Sequence, residues 1–237
     1  MRLFLLTLGL LIFSSSSAFA QDAKEEAKSK LPPALTEYKG RTIARTMHFA
    51  GAPWLIRDSR QREEDCERML ANLGVKEGMT VCDMGCGNGF YSLQLATLVG
   101  DEGRVVAVDV QPEMLKLLRD RAEKHGMETI TPVLGSYHDP RLAPNTIDIM
   151  LCVDVYHEFS HPEQMLKAMR DSLKPDGVIV LLEFRTEDPD VPIKPLHKMS
   201  KKQIMKEFPP NGFKLVKEYD ELPWQHMMWF GKDGMGE

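Results

Sequence analysis

Cysteine is scarce in this chain of 237 residues. Cys66, Cys82, Cys86 and Cys152 are too few and too widely spread for the disulfide framework of a small secreted domain. No group of His and Cys has zinc-site spacing, and Cys82 and Cys86 straddle a strand end and a glycine turn that aim them differently, so no metal is expected. Cys82 and Cys152 fall on runs predicted to be neighbouring strands, where buried, reduced thiols act as small hydrophobes. Basic runs are also missing. With a net charge of −5 and no basic patch, the chain has little to attract a polyphosphate backbone, so nucleic acid is not an expected partner. Internal repeats and low-complexity segments are absent. The apolar run Leu3 to Phe13 falls short of the roughly twenty residues that span a bilayer. It follows Arg2 and precedes a serine cluster and Ala18-Phe19-Ala20, the pattern of a cleavable signal peptide over residues 1–20. The expectation is an exported protein, periplasmic or extracellular, without stable membrane insertion after cleavage; a retained N-terminal anchor is the alternative. No cysteine follows the run, which argues against a lipid-anchored lipoprotein.

What is present sorts into three stretches. Residues 21–40 are rich in Lys, Glu and Ala, carry Pro32-Pro33, and read as a flexible tether. Residues 41–237 read as one domain with an N-terminal helical arm over 41–74, in which helical spacing predicts one amphipathic helix from Asp58 to Leu73. Beyond Gly74, short β-rich runs alternate with helical ones. Strands are predicted at Thr80–Met84, Val105–Asp109, Ile130–Leu134, Ile147–Val153 and Val178–Glu183, with helices starting at Phe90, Pro112 and Pro162. Such alternation calls for a parallel sheet covered on both faces. Phe213–Tyr219 and His226–Phe230 are too close for a crossover helix and should pair as an antiparallel hairpin. The predicted fold is a Rossmann-like, doubly wound α/β sheet of six parallel strands plus one antiparallel strand.

Val81-Cys82-Asp83-Met84-Gly85-Cys86-Gly87-Asn88-Gly89-Phe90 stands where an apolar strand stops and a helix starts. A glycine turn there can bring bare backbone N–H groups against a ligand, and the helix N-terminus favours the ligand's negative part. Asp83, two residues before the first glycine, is placed to receive an ammonium group. Asp109, twenty residues after Gly89, ends the second strand, where a carboxylate can accept from both hydroxyls of a ribose. Dinucleotide binders share that second feature but need a further glycine where this chain has Phe90.

Residues 79–184 resemble the core of class I S-adenosylmethionine-dependent methyltransferases. Asp83 to Gly89 match the first motif, Val106-Ala107-Val108-Asp109 the second, Ile147 to His157 the fourth-strand motif, and Leu173-Lys174-Pro175-Asp176-Gly177 the turn into strand five. The resemblance implies that S-adenosylmethionine is held by Asp83, Gly85, Cys86, Gly87, Gly89, Asp109, Val110 and Val153, with Ser136 beside the adenine in place of the more usual acidic residue. Gly40 to Ala44, Gly51 to Leu55 and Arg57 are similar to a group of exported bacterial methyltransferase-like proteins.

Methyl transfer from a sulfonium is an in-line displacement, so positioning supplies most of the catalysis, and a base is needed only for an acceptor that holds a proton. Ligands in such sheets lie beyond the carboxyl ends of the strands, which singles out Tyr156, His157, Glu158 and Glu183. His157 is the preferred base, its other reading being a structural hydrogen bond. Tyr156 reads as an aromatic wall, and Glu183 as either a catalytic carboxylate or a strand-end carboxylate bound to backbone. His197, on the insertion Arg185 to Ser200, is a second candidate, and Trp54 with Met47, His48 and Phe49 reads as a lid or as a packed arm. The expected activity is methyl transfer to a small organic acceptor. A non-catalytic module binding S-adenosylmethionine or S-adenosylhomocysteine is the alternative, and the sequence carries no sign of oligomeric state.

Overall fold

The computed structural model describes residues 32–234, so the predicted signal peptide and the tether up to residue 31 lie outside the described residues. The folded unit opens at Leu35. Strands β1 (Glu37–Tyr38) and β2 (Arg41–Thr42) form a two-stranded ribbon with Tyr38 buried, so the end of the expected tether is part of the body. A run from Phe49 to Ile56 is 3-10 helical, with the His48 side chain accepting from the Ala50 N–H at its start.

The predicted arm helix is two helices, α1 (Arg60–Glu64) and α2 (Cys66–Leu73). They part at Asp65, whose backbone turns left-handed (φ +52°) and whose carboxylate accepts from the Arg68 N–H at 3.3 Å. A short polar side chain that offers the backbone its own hydrogen bond favours a cap over a helix interior.

The main sheet contains β3 (Thr80–Met84), β4 (Arg104–Asp109), β5 (Ile130–Leu134), β6 (Ile147–Val153), β7 (Leu173–Arg185), β9 (Phe213–Tyr219) and β10 (Gln225–Lys232), and the short β8 (Lys198–Met199) pairs with β7. Its order is β5-β4-β3-β6-β7-β10-β9. The pairs among β3 to β7 are parallel, while β10 runs antiparallel to both β7 and β9. Six strands therefore point one way and β10 the other, as predicted. β7 starts five residues before the expected Val178, because Leu173 pairs with Ile147 ahead of an irregularity in the register.

Alternate strand residues feed two cores. Ile149, Leu151, Val180 and Leu182 join a cluster with α2, α3 (Phe90–Val99) and α4 (Pro112–Lys124). Met150, Cys152, Ile179 and Leu181 join a second with α5 (Pro162–Ser172) and α6 (Lys201–Glu207). The period of two along each strand, with both faces covered, is what a doubly wound sheet requires. Cys66, Cys82, Cys86 and Cys152 are all buried free thiols. No helix among the described residues is long and apolar enough to cross a membrane. The strand order reverses between β3 and β6, and the crevice beyond their carboxyl ends is where such sheets hold ligands.

Candidate functional site

A cavity of about 530 Å³ opens at that crevice, within the range of small-molecule sites. Its floor is the glycine turn. Gly85 (φ +72°) and Gly87 (φ +52°) both line it in the left-handed region. A Cβ on Gly85 would stand 2.4 Å from Val155 Cγ2, and one on Gly87 2.6 Å from Leu55 Cδ1. The turn's N–H groups are less bare than expected. Those of Gly85 and Cys86 donate to the Val108 carbonyl, that of Gly87 to Asp109, and that of Gly89 to the Cys86 carbonyl. The glycines therefore admit a ligand by leaving out side chains, and the stitched turn holds its shape.

Asp83 is buried beneath the turn and does not line the cavity. Its Oδ2 accepts from Ser92 Oγ at 2.6 Å. Burial lifts its carboxyl to about 6 against the pull of the Ser92 hydrogen bond and the Arg60 charge, with nearby Asp109 adding to the rise. The expected contact of Asp83 with an ammonium group is direct or through water; its side chain is instead bonded to Ser92 on α3 and is off the cavity wall. Cys86 and Gly89 are likewise buried and off the cavity wall, and Gly89 caps α3 against Leu118.

Asp109, at the end of β4, does line the cavity. Its Oδ2 accepts from Gly87 N–H at 2.9 Å and its Oδ1 from Gln111 N–H at 2.8 Å. A carboxylate has about four acceptor positions, so each oxygen keeps one for a vicinal diol. Burial raises its pKa, and the backbone hydrogen bonds oppose that rise. Gln111 was not foreseen: its side chain donates to the Met47 carbonyl and accepts from Phe49 N–H, both at 2.9 Å. That clamp brings Met47 and, further along, Trp54 and Leu55 onto the cavity wall, while His48 and Phe49 stay off it. Val110, Ser136 and Val153 line the cavity as expected. The Ser136 hydroxyl is engaged in its own turn, 3.1 Å from both the carbonyl and the N–H of Asp139.

Asp154, just past β6, is a second residue that sequence reasoning missed. Its backbone is left-handed (φ +50°), and the residue lines the cavity. Oδ2 accepts from Gln225 Nε2 at 2.7 Å, while buried Oδ1 has no partner among the described residues. Burial, together with the charges of Glu64 and Glu183, holds this carboxyl well above the usual carboxylate range. Its positive φ is the one signal at this position, and it is invisible without coordinates.

The short helical turn Tyr156–Glu158 carries the polar end of the cavity. His157 is 2% exposed and reaches the wall. Its Nδ1 donates to Glu183 Oε2 at 2.7 Å, and its backbone N–H donates to Glu183 Oε1 at 3.2 Å. Both oxygens of one buried carboxylate thus fix the ring and the chain that bears it. Burial pulls the imidazole's pKa down, but the charge of Glu183 and its hydrogen bond outweigh burial and leave it raised. Glu183 itself is fully buried and off the wall, so it acts on the cavity only through His157.

Tyr156 corrects the expected aromatic wall. It is fully buried, off the cavity, and its hydroxyl donates to Glu207 Oε2 at 2.7 Å. Arg41 pairs with the same Glu207 and donates to the His157 carbonyl at 2.9 Å, which makes Tyr156 part of the frame behind His157. On the cavity side, His157 Nε2 meets His197 Nδ1 at 3.0 Å and Glu158 Oε1 at 4.0 Å. Burial lifts the Glu158 carboxyl to about 7, and burial with the neighbouring His157 lowers His197. The expectation of no metal cluster rested on sequence spacing, yet the fold brings together three metal-ligating side chains separated by up to forty positions. Phe159, Met165, Phe184 and Ile193 supply apolar lining, and Lys194 also lines the cavity, its charge helping to lower His197.

The donor set fits the cofactor that the sequence resemblance implies: a diol acceptor at Asp109, a floor without Cβ atoms, and a carboxyl at Asp154 with one oxygen unpartnered among the described residues. The methyltransferase-domain family matches residues 75–229. A demethylmenaquinone methyltransferase of Staphylococcus aureus (strain MRSA252) is 27% identical over 172 residues, 72% of this chain and 68% of its own. The crystal structure of a SAM dependent methyltransferase from Aquifex aeolicus aligns with a TM-score of 0.74 and 26% identity, over 78% of this chain and 98% of that one. A type 11 methyltransferase from Sulfolobus solfataricus shares the fold at a TM-score of 0.60 and 20% identity, over 74% and 96% of the two chains. With the match running from the residue after Gly74 into β10, the chain belongs to the methyltransferase-domain family and is a class I S-adenosylmethionine-dependent methyltransferase.

Proposed function

We propose that the chain methylates a small, largely apolar acceptor carrying one ionisable hydroxyl or acidic carbon, with His157 as the proton acceptor. S-adenosylmethionine supplies an electrophilic methyl group on a sulfonium. Around it, Asp109 takes the ribose hydroxyls, Gly85 and Gly87 let the chain close on the ligand, and Asp154 faces its ammonium. A cation beside Asp154 would favour its charged carboxylate. Phe159, Phe184 and Ile193 shape the acceptor end and keep water out, which strengthens every charge interaction there. Support for a hydroxy-aromatic acceptor comes from the Staphylococcus aureus relative, named for demethylmenaquinone.

The observation that carries the reading is the dyad of His157 and Glu183, with Nδ1 held at 2.7 Å and Nε2 turned to the cavity. Glu183 sets the tautomer, as the orienting carboxylate does in other acid and base pairs. His157→Ala is expected to lower kcat by about 10²- to 10⁴-fold, the usual scale of a positioned base, with cofactor Kd unchanged. Glu183→Gln should lower kcat while leaving acceptor KM in place, the mark of a positioning residue. Steady-state kinetics with a reduced naphthoquinol, and cofactor titration by calorimetry, give both readouts. A His157→Ala enzyme as fast as the wild type removes the base.

The segment Arg2 to Ala20 supports export as well. Fractionation of the producing cell, with N-terminal sequencing of the mature protein, tests this; a chain retained whole in the cytoplasm refutes it.

A further inference from the structure

We propose that His157 Nε2, His197 Nδ1 and Glu158 Oε1 form a binding site for one divalent transition-metal ion of the zinc type. The three side chains come from two separate turns, Tyr156–Glu158 after β6 and Pro195–His197 on the insertion after β7, and they face one another across the acceptor end of the cavity. Their ligand atoms all lie within 4.8 Å of one another. An ion about 2.0 to 2.2 Å from each tetrahedral ligand needs those ligands about 3.4 Å apart. The two nitrogens already stand at 3.0 Å, with ring planes at 90°, and Glu158 Oε1 is 4.0 Å from the first of them. Glu158 can close that gap, because the hydrogen bond its carboxylate accepts among the described residues is a long one, from Met47 N–H at 3.3 Å.

Three further features support an ion here. A ligating histidine commonly gives its other N–H to a carboxylate, which fixes ring orientation and raises basicity; Glu183 does this for His157 at 2.7 Å. Glu158 and Glu183 together balance the charge of a dication. Two imidazoles and one carboxylate with an open position are a donor set that zinc and its neighbours take, whereas calcium and magnesium prefer oxygen alone. Phe159, Phe184 and Ile193 line the same cavity, so an acceptor bound there would be near such an ion. Coordination would use the same Nε2 lone pair that takes a proton in the ion-free enzyme, so ion and proton compete for it. The site itself stands on this geometry, whichever acceptor the enzyme uses.

The test is calorimetric titration of tag-free, chelator-treated protein with Zn²⁺, paired with the absorption spectrum of the Co²⁺ form. The expected result is one ion per chain and a four-coordinate cobalt spectrum free of thiolate charge transfer, since all four cysteines are buried elsewhere. His197→Ala should weaken binding by about 100-fold or more, and Glu183→Gln by about 10- to 100-fold, the range for a supporting carboxylate. His125→Ala, an exposed histidine at the end of α4, should leave binding unchanged. His197 is only partly buried, so its variant keeps the fold, and cofactor titration of that variant confirms it. Failure of the wild type to take up Zn²⁺ at micromolar concentration overturns the site, as does undiminished binding in His197→Ala or a thiolate signature on cobalt. Loss of turnover in His157→Ala without any ion binding would leave the base intact and remove the metal alone.

Discussion

Two acidic residues on the cavity wall, Asp109 and Asp154, differ in their surroundings, and in the proposed function they take different parts of the cofactor. Asp109 is tied by two backbone N–H groups and keeps one acceptor position on each oxygen for a diol. Asp154 has one oxygen tied to Gln225 and one with no partner. Removing either costs hydrogen bonds to a charged group, on the scale of about 1.5 to 3 kcal/mol. Asp109→Ala is therefore expected to weaken S-adenosylmethionine by that amount, and adenosine as well, because the ribose is common to both. Asp154→Asn, which keeps a residue tolerant of left-handed backbone, should weaken S-adenosylmethionine by a similar amount and leave adenosine untouched. Calorimetry with the two ligands separates them; equal losses for both in Asp154→Asn would show that its oxygen does not meet the ammonium. The first of these residues was legible because a strand-ending acid at a fixed distance from a glycine turn is a chain pattern. The second was not, since burial, a positive φ and a missing partner are properties of the folded chain.

At the scale of elements, Asp65 decides the geometry of the arm. It ends α1, starts α2 and turns left-handed between them, so that Arg60 and Glu64 pair inward at 2.8 Å while α2 packs Met69 and Leu73 on the sheet. Asp65→Ala removes the cap and puts a residue less tolerant of left-handed backbone at φ +52°, and should cost about 1 to 2 kcal/mol. Asp65→Gly keeps the turn and should cost only a few tenths of a kcal/mol. Urea unfolding of both variants checks this ranking, and the reverse order would mean that α1 and α2 are not held apart by Asp65. One predicted helix became two because apolar spacing runs straight through Asp65, whose competing hydrogen bond leaves no trace in that spacing. The sheet was legible where the strand pattern is unbroken. Thr80–Met84, Ile130–Leu134 and Ile147–Val153 have their predicted ends, because each is a short, mainly apolar run with polar residues only at single positions such as Asp83 and Asp148. His197 meets His157 only through the path of the insertion after β7, which no local pattern encodes. Tyr156 misled for a related reason: its place in the chain is beside the site, but Glu207 and Arg41 draw it into the frame behind.

For the whole molecule, the buried acids under the site link stability to pH, and Asp83 gives the clearest sign. Its carboxyl titrates at about 6 in the folded chain, against about 3.9 when unfolded. The folded state therefore holds this proton more tightly, and between those two values it binds more protons than the unfolded chain does. Stability from this group is fully present below about pH 4, falls as pH rises, and is gone above about pH 6, a difference on the order of 3 kcal/mol. Burial drives the effect, since a charge at this position has lost its water and Ser92 restores only part of what it lost. Asp83→Asn keeps the shape without the charge. It should be more stable than the wild type at about pH 8, and should lose the part of the pH slope that lies between about pH 4 and 6. Because Asp83 is off the cavity wall, the same variant should bind the cofactor nearly as well as the wild type. Urea midpoints across that pH range, with one calorimetric titration, measure both. If Asp83→Asn keeps the wild-type slope, another acid carries it; if it loses the cofactor while remaining folded, Asp83 acts on the ligand directly and the division of labour with Asp154 fails.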